Sequence, residues 1–298
     1  ASLVGALTAL AIITQLLRGP RAASVPTPVL HFSAMPASYK ALFCFLLLLI
    51  VIRITTLGLE ILWRPLFPWD ATMHWATKAR VWFEYNRIVP FVTKDAWGEI
   101  GGAGIFTDSH PYYPEAVPLL QVWMNLVLGR WDESLMNLPW LLCLIALGSA
   151  FYGQLRAQGL GPVLAIGFAY LLLSMPLLNT HVALAGYADI FLGAAYCAAL
   201  MAFHNWFTTR QRWQGMLAFF FAISCALIKD EGLVWSLTFV PAMAFILMPR
   251  SEAAKLCTLF PLVLVLLWPL RPPGLEIAGN QLDHLDLGFH VEGLVGML

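Results

Sequence analysis

Asp70, Asp189 and the neighbours Asp230 and Glu231 are carboxylates at the edges of long apolar runs, where a membrane-surface acid–base catalyst has to keep them. Asp70 stands in Pro68-Trp69-Asp70-Ala71-Thr72-Met73-His74-Trp75, just beyond the Leu-rich run over 41–62, with Lys78 and Arg80 following it. It therefore leaves the membrane beside aromatic rings and ahead of a cationic face. A carboxylate there can take a proton from an acceptor hydroxyl while an anionic group departs, because partial desolvation at the boundary favours the protonated form of a carboxyl group. The plainer alternative is a solvated loop acid or the N-cap of a helix over 71–85.

Asp189 opens an otherwise apolar helix, a position that costs about 3 kcal/mol when such a charge is drawn toward the bilayer centre. Gly186 permits a tight approach beside it, and His181 lies one short loop away as a candidate partner. The alternative is again an N-cap facing water. Carboxylate and imidazole ligands suit several divalent ions, so Asp70, Asp189 and His181 can together hold a metal, although no spacing assigns one.

Lys229-Asp230-Glu231-Gly232 joins two apolar runs with no room for a loop, which sets three ionisable groups at the membrane lip. Lys229 can meet a lipid phosphate as a point charge, and Asp230 or Glu231 can hold it or bind an acceptor. A solvated interhelical corner is the competing reading. His110 with Tyr112 and Tyr113 forms a polar, aromatic rim suited to sugar stacking and hydrogen bonding, though a lone His is more often structural. Arg53 and Glu60 share one face of the first long span and require partners. Asp283, His284, Asp286 and His290 match no helical metal pair and read as a solvated fragment.

The elements that must carry these groups follow from composition. Of 298 residues, 60% are hydrophobic and only 11% charged, against about a quarter charged in soluble domains; the mean hydropathy is +0.75. The expected fold is all-α: one polytopic transmembrane helical bundle over 1–298, with a long outer-face loop over 63–137 holding in-plane amphipathic helices. Zero net charge excludes the basic footprint of a nucleic-acid binder. The bilayer is the expected partner. Five cysteines, Cys44, Cys143, Cys197, Cys225 and Cys257, each sit in an apolar run without C-x-x-C spacing and act as small hydrophobes. Ala1 already lies in an apolar segment, so continuation beyond one or both ends is expected, and no cleavable signal peptide can be argued.

A helix crosses about 30 Å of hydrocarbon with roughly 20 residues. Runs over 2–17, 41–62, 138–155, 160–178, 187–206, 215–228, 232–248 and 256–270 are candidate spans. The run over 116–128 is short, follows Pro111 and Pro114, and contains Pro118, Gln121 and Asn125, which suits a helix lying in the membrane plane. If it lies flat, one side receives Arg18, Arg21, Lys40, Arg156, Arg210, Arg212, Arg250 and Lys255 with Glu252 as its only acid, a positive-inside pattern. The opposite side then holds the 63–137 loop, the 181–186 connection, the 229–231 corner and the tail from Arg271. In the long loop, Trp75, Ala79 and Trp82 make an aromatic-bearing helical face expected at headgroup level, and Gly101, Gly102 and Gly104 mark a break.

Trp69-Asp70-Ala71 with Trp75 and Lys78-Ala79, His110-Pro111, Tyr113-Pro114 before Pro118-Leu119-Leu120, Gly186-Tyr187-Ala188-Asp189 and Lys229-Asp230-Glu231-Gly232 occur in this order. The series resembles the polytopic GT-C glycosyltransferases, specifically the bacterial relatives of protein O-mannosyltransferases and aminoarabinose transferases (glycosyltransferase family 39-like), over about 41–248. The resemblance implies transfer of a sugar from a polyprenyl-phosphate donor to an extracytoplasmic lipid, glycan or protein hydroxyl, on the outer face of a bacterial inner membrane. It implies an essential acid in the first outer loop and a second at the next, matched here by Asp70 and Asp189 as catalytic residues. Lys78, His110, Tyr113, His181, Lys229 and Glu231 take substrate-binding positions. Many protein O-mannosyltransferases carry an Asp-Glu pair in the first loop, whereas Asp70 is followed by Ala71, a departure that argues against a protein acceptor. The rival readings are a secondary transporter, which normally shows paired halves with matching helix breaks, and a non-catalytic membrane scaffold.

Overall fold

The computed structural model describes residues 35–100, 102, 104–247, 249, 251, 252, 255, 258, 259, 276, 277, 280 and 281. Helix α1 (Ala37–Trp63) starts after Pro36 and stops at Arg64, whose φ of −105° and ψ of 122° are extended. Pro65 explains the stop, since the residue before a proline is pushed out of the helical region. A π-helical turn (Ala71–Trp75) runs into α2 (Ala76–Tyr85), closed by Asn86 in the left-handed region. Strands β1 (Phe91–Val92) and β2 (Phe106–Thr107) pair in parallel across α3 (Lys94–Ile100), and α4 (Ala116–Leu128) ends on left-handed Gly129. A 3₁₀ turn then feeds α5 (Leu138–Ala157).

Helices α6 (Pro162–Leu173) and α7 (Pro176–Ala183) follow, bent by 59° at their break. Pro176 removes the backbone N–H that would have continued α6. After them come α8 (Asp189–Thr209), α9 (Arg212–Ile228) and α10 (Glu231–Leu237). The chain divides into two compact units, Ala1–Ser236 and Leu237–Leu298. The described part of the second contains α11 (Phe239–Leu247) and a two-stranded antiparallel pair, Glu276–Ile277 with Asn280–Gln281.

Within the first unit, α8 packs on α9 and α5, while α1 packs on α6. The core joins Leu57 and Ile61 of α1 to Trp140, Leu144, Leu173 and Ile190, and continues into the 63–137 segment through Trp75 and Val117. Among the described residues, α1, the segment ending in α5 and α8 are long and apolar enough to cross a membrane, and the α6–α7 pair makes a fourth if it counts as one broken span. The chain is mostly helical and compatible with a membrane protein.

Several expectations change in detail. The run over 160–178 is two helices, and in the run over 232–248 Thr238 is a turn between α10 and α11. Helix α9 has only 17 residues, about 25 Å of rise. The run over 2–17 lies outside the described residues, as does 256–270 apart from Thr258 and Leu259. Trp75, Ala79 and Trp82 do not face headgroups: all three are buried, since this face of α2 is the hydrophobic interior of the 63–137 segment. Trp82 Nε1 donates to the Val89 carbonyl at 3.0 Å.

Helix α4 has inverted polarity. Gln121 and Asn125 are 0% exposed, whereas Leu119, Trp123, Leu126 and Val127 point outward, Trp123 at 58%. Asn125 Nδ2 donates to the Gln121 carbonyl at 3.0 Å and its Oδ1 accepts from the Asp132 N–H at 2.7 Å, while Gln121 Nε2 donates to Asn137 Oδ1 at 3.4 Å and its buried Oε1 has no hydrogen-bond partner.

Candidate functional site

Four segments converge at the end of the bundle where α1 finishes and α8 begins: 68–75, 108–113, 186–189 and 229–231. Gly186 fixes the first contact. Its φ is +119°, and a Cβ built on it would collide with the Ala71 Cβ; only glycine combines that backbone with that proximity. Ala71 is fully buried, so the Asp70 turn sits directly on the turn that leads to Asp189. Trp140, also fully buried, donates from Nε1 to the Tyr187 carbonyl at 2.8 Å and holds the second turn on α5.

The 108–113 loop is anchored from below. Lys78 Nζ lies 2.9 Å from Asp108 Oδ2, with side chains 2% and 1% exposed, and donates to the carbonyls of His110 at 2.9 Å and Pro111 at 3.2 Å. His74 Nδ1 is 2.5 Å from Asp108 Oδ1, which also accepts the His110 N–H at 3.0 Å. Burial pushes the Asp108 carboxyl up, but the His110 N–H, Lys78 and His74 outweigh it and hold it below the usual carboxylate range. Above this anchor the rings stack: Trp75 on Tyr113 at 5.1 Å and His110 on Tyr113 at 4.8 Å.

Lys78 is thus not a substrate contact. Its ammonium is buried and taken up by three protein acceptors, which makes it a strut beneath the His110 loop. His110 is exposed and Tyr113 partly buried above it. His181 lies in the last turn of α7 rather than in a loop, its ring 5.7 Å edge-on from Tyr187, and its buried Nδ1 has no hydrogen-bond partner.

Asp70 is exposed and makes no side-chain capping bond to the turn it precedes, so the N-cap reading does not describe it. Asp189 Oδ1 is 3.1 Å from Lys229 Nζ, and Glu231 Oε1 is 3.6 Å from the same ammonium. Burial disfavours the Lys229 charge, yet Asp189 and then Glu231 leave its pKa raised. Gly232 closes this corner: a Cβ there would strike the Cys225 carbonyl.

The two tyrosines register how close the segments come. Tyr187 is raised by burial and then by the charges of Asp70 and Asp189, against the Asp70 backbone N–H, which lowers it. Tyr113 is raised by burial and by Glu231, Asp230 and Asp70, with Lys229 opposing. Asp230 is raised by burial and by Glu231, with Lys78, His110 and Lys229 pulling it down. Tyr187, His74 and Asp108 are site or support residues that the candidate set omitted. The Gly186-Tyr187 step beside Asp189 was a readable signal for the first; nothing in spacing joined His74 to Asp108.

Among the described residues no three His, Cys, Asp or Glu side chains gather as a metal set. A shallow cleft lined by Ile61, Arg64, Pro65, Phe67, Pro68 and Ala185 runs along the residues just before Asp70 and has no carboxylate in its wall. The carboxylates occupy an open rim that carries, among the described residues, the accessible Lys229 ammonium and several aromatic rings. Such a rim can take a proton from a hydroxyl, bind an anionic group at Lys229 and stack a sugar.

An apolar, mostly helical chain with three to four candidate spans among the described residues and an acidic rim at one end defines the class: a membrane-compatible helical protein with a candidate surface site. No family model, curated protein or solved structure matches the chain.

Proposed function

We propose that this chain is a multi-pass GT-C type glycosyltransferase, moving a sugar from a polyprenyl-phosphate donor to an extracytoplasmic acceptor hydroxyl at the outer face of a bacterial inner membrane. The observation that supports this most is the convergence of the Asp70 turn with Asp189 and with the Lys229–Glu231 corner, three segments far apart in sequence. In the reaction, the Asp70 carboxylate accepts the acceptor proton as the acceptor oxygen bonds to the anomeric carbon. The bond from that carbon to the phosphate oxygen breaks, and its electron pair leaves on the polyprenyl phosphate. Lys229 faces the phosphate and stabilises the charge that develops on it. Asp189 positions the acceptor, with His110 and Tyr113 as the aromatic rim. The full chain in proteoliposomes, given undecaprenyl-phosphate sugars and a hydroxyl acceptor, is expected to form product only when both are present. Solute flux without transfer would favour a transporter, and dispensable Asp70 and Asp189 would favour a scaffold.

In this reading, residues 63–137 lie wholly outside the cytoplasm and α4 rests in the membrane plane with Trp123 and Leu126 toward lipid, as its inverted polarity favours. Cysteines introduced at Ser109 and Ser134 are both expected to react with an impermeant reagent added from outside. A residue-134 thiol reachable only from the cytoplasm would make Ala116–Leu128 a span and reverse the parity of everything after it.

A further inference from the structure

We infer that Asp189 is the resting counter-ion of Lys229 and that a phosphate headgroup displaces it, so that binding of the anionic substrate releases Asp189 for the second one. The inference rests on the phosphate-donor reading above and assigns the order in which that site fills. Lys229 Nζ lies 3.1 Å from Asp189 Oδ1 and 3.6 Å from Glu231 Oε1, so the ammonium already occupies a carboxylate cradle. The two partners come from different elements, the first residue of α8 and the corner before α10.

An anion entering this rim competes for a cation that is already satisfied. Of the two described lysines beside the rim, Lys229 is the accessible one, because the Lys78 ammonium is sealed against Asp108. The pair is only partly buried, with 18% of the Lys229 and 38% of the Asp189 side chain exposed. A pair of this kind holds weakly enough to exchange, as partly solvated ion pairs contribute little net free energy. Once the phosphate takes Lys229, Asp189 loses its partner at the start of α8. It then stands beside Tyr187 and Asp70 with a free oxygen for an acceptor hydroxyl. Before the phosphate arrives, that oxygen is committed to the ammonium. Phosphate binding therefore precedes full engagement of Asp189 by the acceptor, because Oδ1 becomes available only once Lys229 is taken.

The test is a binding measurement that needs no turnover. The full chain in detergent is titrated with farnesyl phosphate, with farnesol as the uncharged control and inorganic phosphate separating a lipid headgroup from a free anion. Asp189→Asn removes the competitor and is expected to tighten farnesyl phosphate about fivefold, whereas Lys229→Met loses the preference over farnesol. Glu231→Gln, whose carboxylate is farther from the ammonium, is expected to tighten it less. Asp70→Asn also deletes a negative charge from the rim but is not paired to Lys229, and should leave affinity within about twofold. Wild-type binding with an unchanged or weakened Asp189→Asn overturns the exchange and leaves the donor reading standing. So does an Asp70→Asn variant that tightens as much as Asp189→Asn, because the effect would then be the general field of the rim. A wild-type chain that binds farnesyl phosphate no better than farnesol overturns the donor reading and the exchange with it.

Discussion

Asp70→Asn should abolish sugar transfer while leaving the protein folded and inserted. General base catalysis typically contributes about 10²–10⁴-fold, so a loss of that size or greater is expected. The substitution is clean because Asp70 is exposed and caps no helix, so the amide replaces a carboxylate that supports nothing beneath it. The turn it sits on is held by its neighbours, chiefly Ala71 against Gly186. Asp189→Asn should also be severe in turnover, but its meaning is mixed, since it simultaneously frees Lys229. The measurement is transfer rate on protein whose insertion and helicity match the parent. Near-normal turnover in a well-inserted Asp70→Asn chain would remove the proposed base, and a transporter or scaffold would become the better description.

The helices were legible in the sequence because their signal is local. A Leu-rich run with Pro36 before it and Arg64-Pro65 after it has one outcome, and α1 follows from it. Where the apolar signal continues across a break, it does not reveal the break. The run over 160–178 reads as one span because Ser174, Met175 and Pro176 interrupt its geometry without interrupting its hydropathy, and the 59° bend depends on a missing N–H rather than on polarity. No charge announces the turn at Thr238 either.

The rim of the site was legible as a set of edges. Asp70, Asp189 and Lys229 each mark the place where a long apolar run stops, so their common side follows from charge bias alone. What holds them there was not legible. His74, Lys78 and Asp108 are ordinary polar residues of a loop until tertiary packing buries them, and the 29 residues between Lys78 and Asp108 carry no periodic signal. Trp75 and Trp82 were read as membrane-facing because a Trp-bearing stripe fits headgroups and loop interiors equally well. The inward direction was decided by Tyr113 and by the Val89 carbonyl, partners that the stripe itself does not identify.

The largest loss of stability should come from that buried support, with Asp108→Ala costing about 3–5 kcal/mol, since it leaves the Lys78 charge buried without its carboxylate. His74 and the His110 N–H lose their acceptor in the same step. Asp108→Asn keeps part of the hydrogen bonding and should cost less. Replacing Lys78 and Asp108 together by Met and Leu should cost less than either single apolar change, because no lone charge remains. The pH dependence has a defined sign. The Asp108 carboxyl titrates below its ordinary value of 3.8 in the folded chain, so its contribution is fully present above that value and is lost as the pH falls through the lower folded one. Thermal melts of the detergent-solubilised chain at neutral pH and below pH 4, with proteolysis followed at the 93–107 segment, test both statements. The parent should lose protection of that segment on acidification, while the Asp108→Ala chain should already be cut at neutral pH and change little further. An Asp108→Ala protein that melts with the parent and resists cleavage would show that the aromatic stack of Trp75, Tyr113 and His110 holds the loop without its buried ion pair.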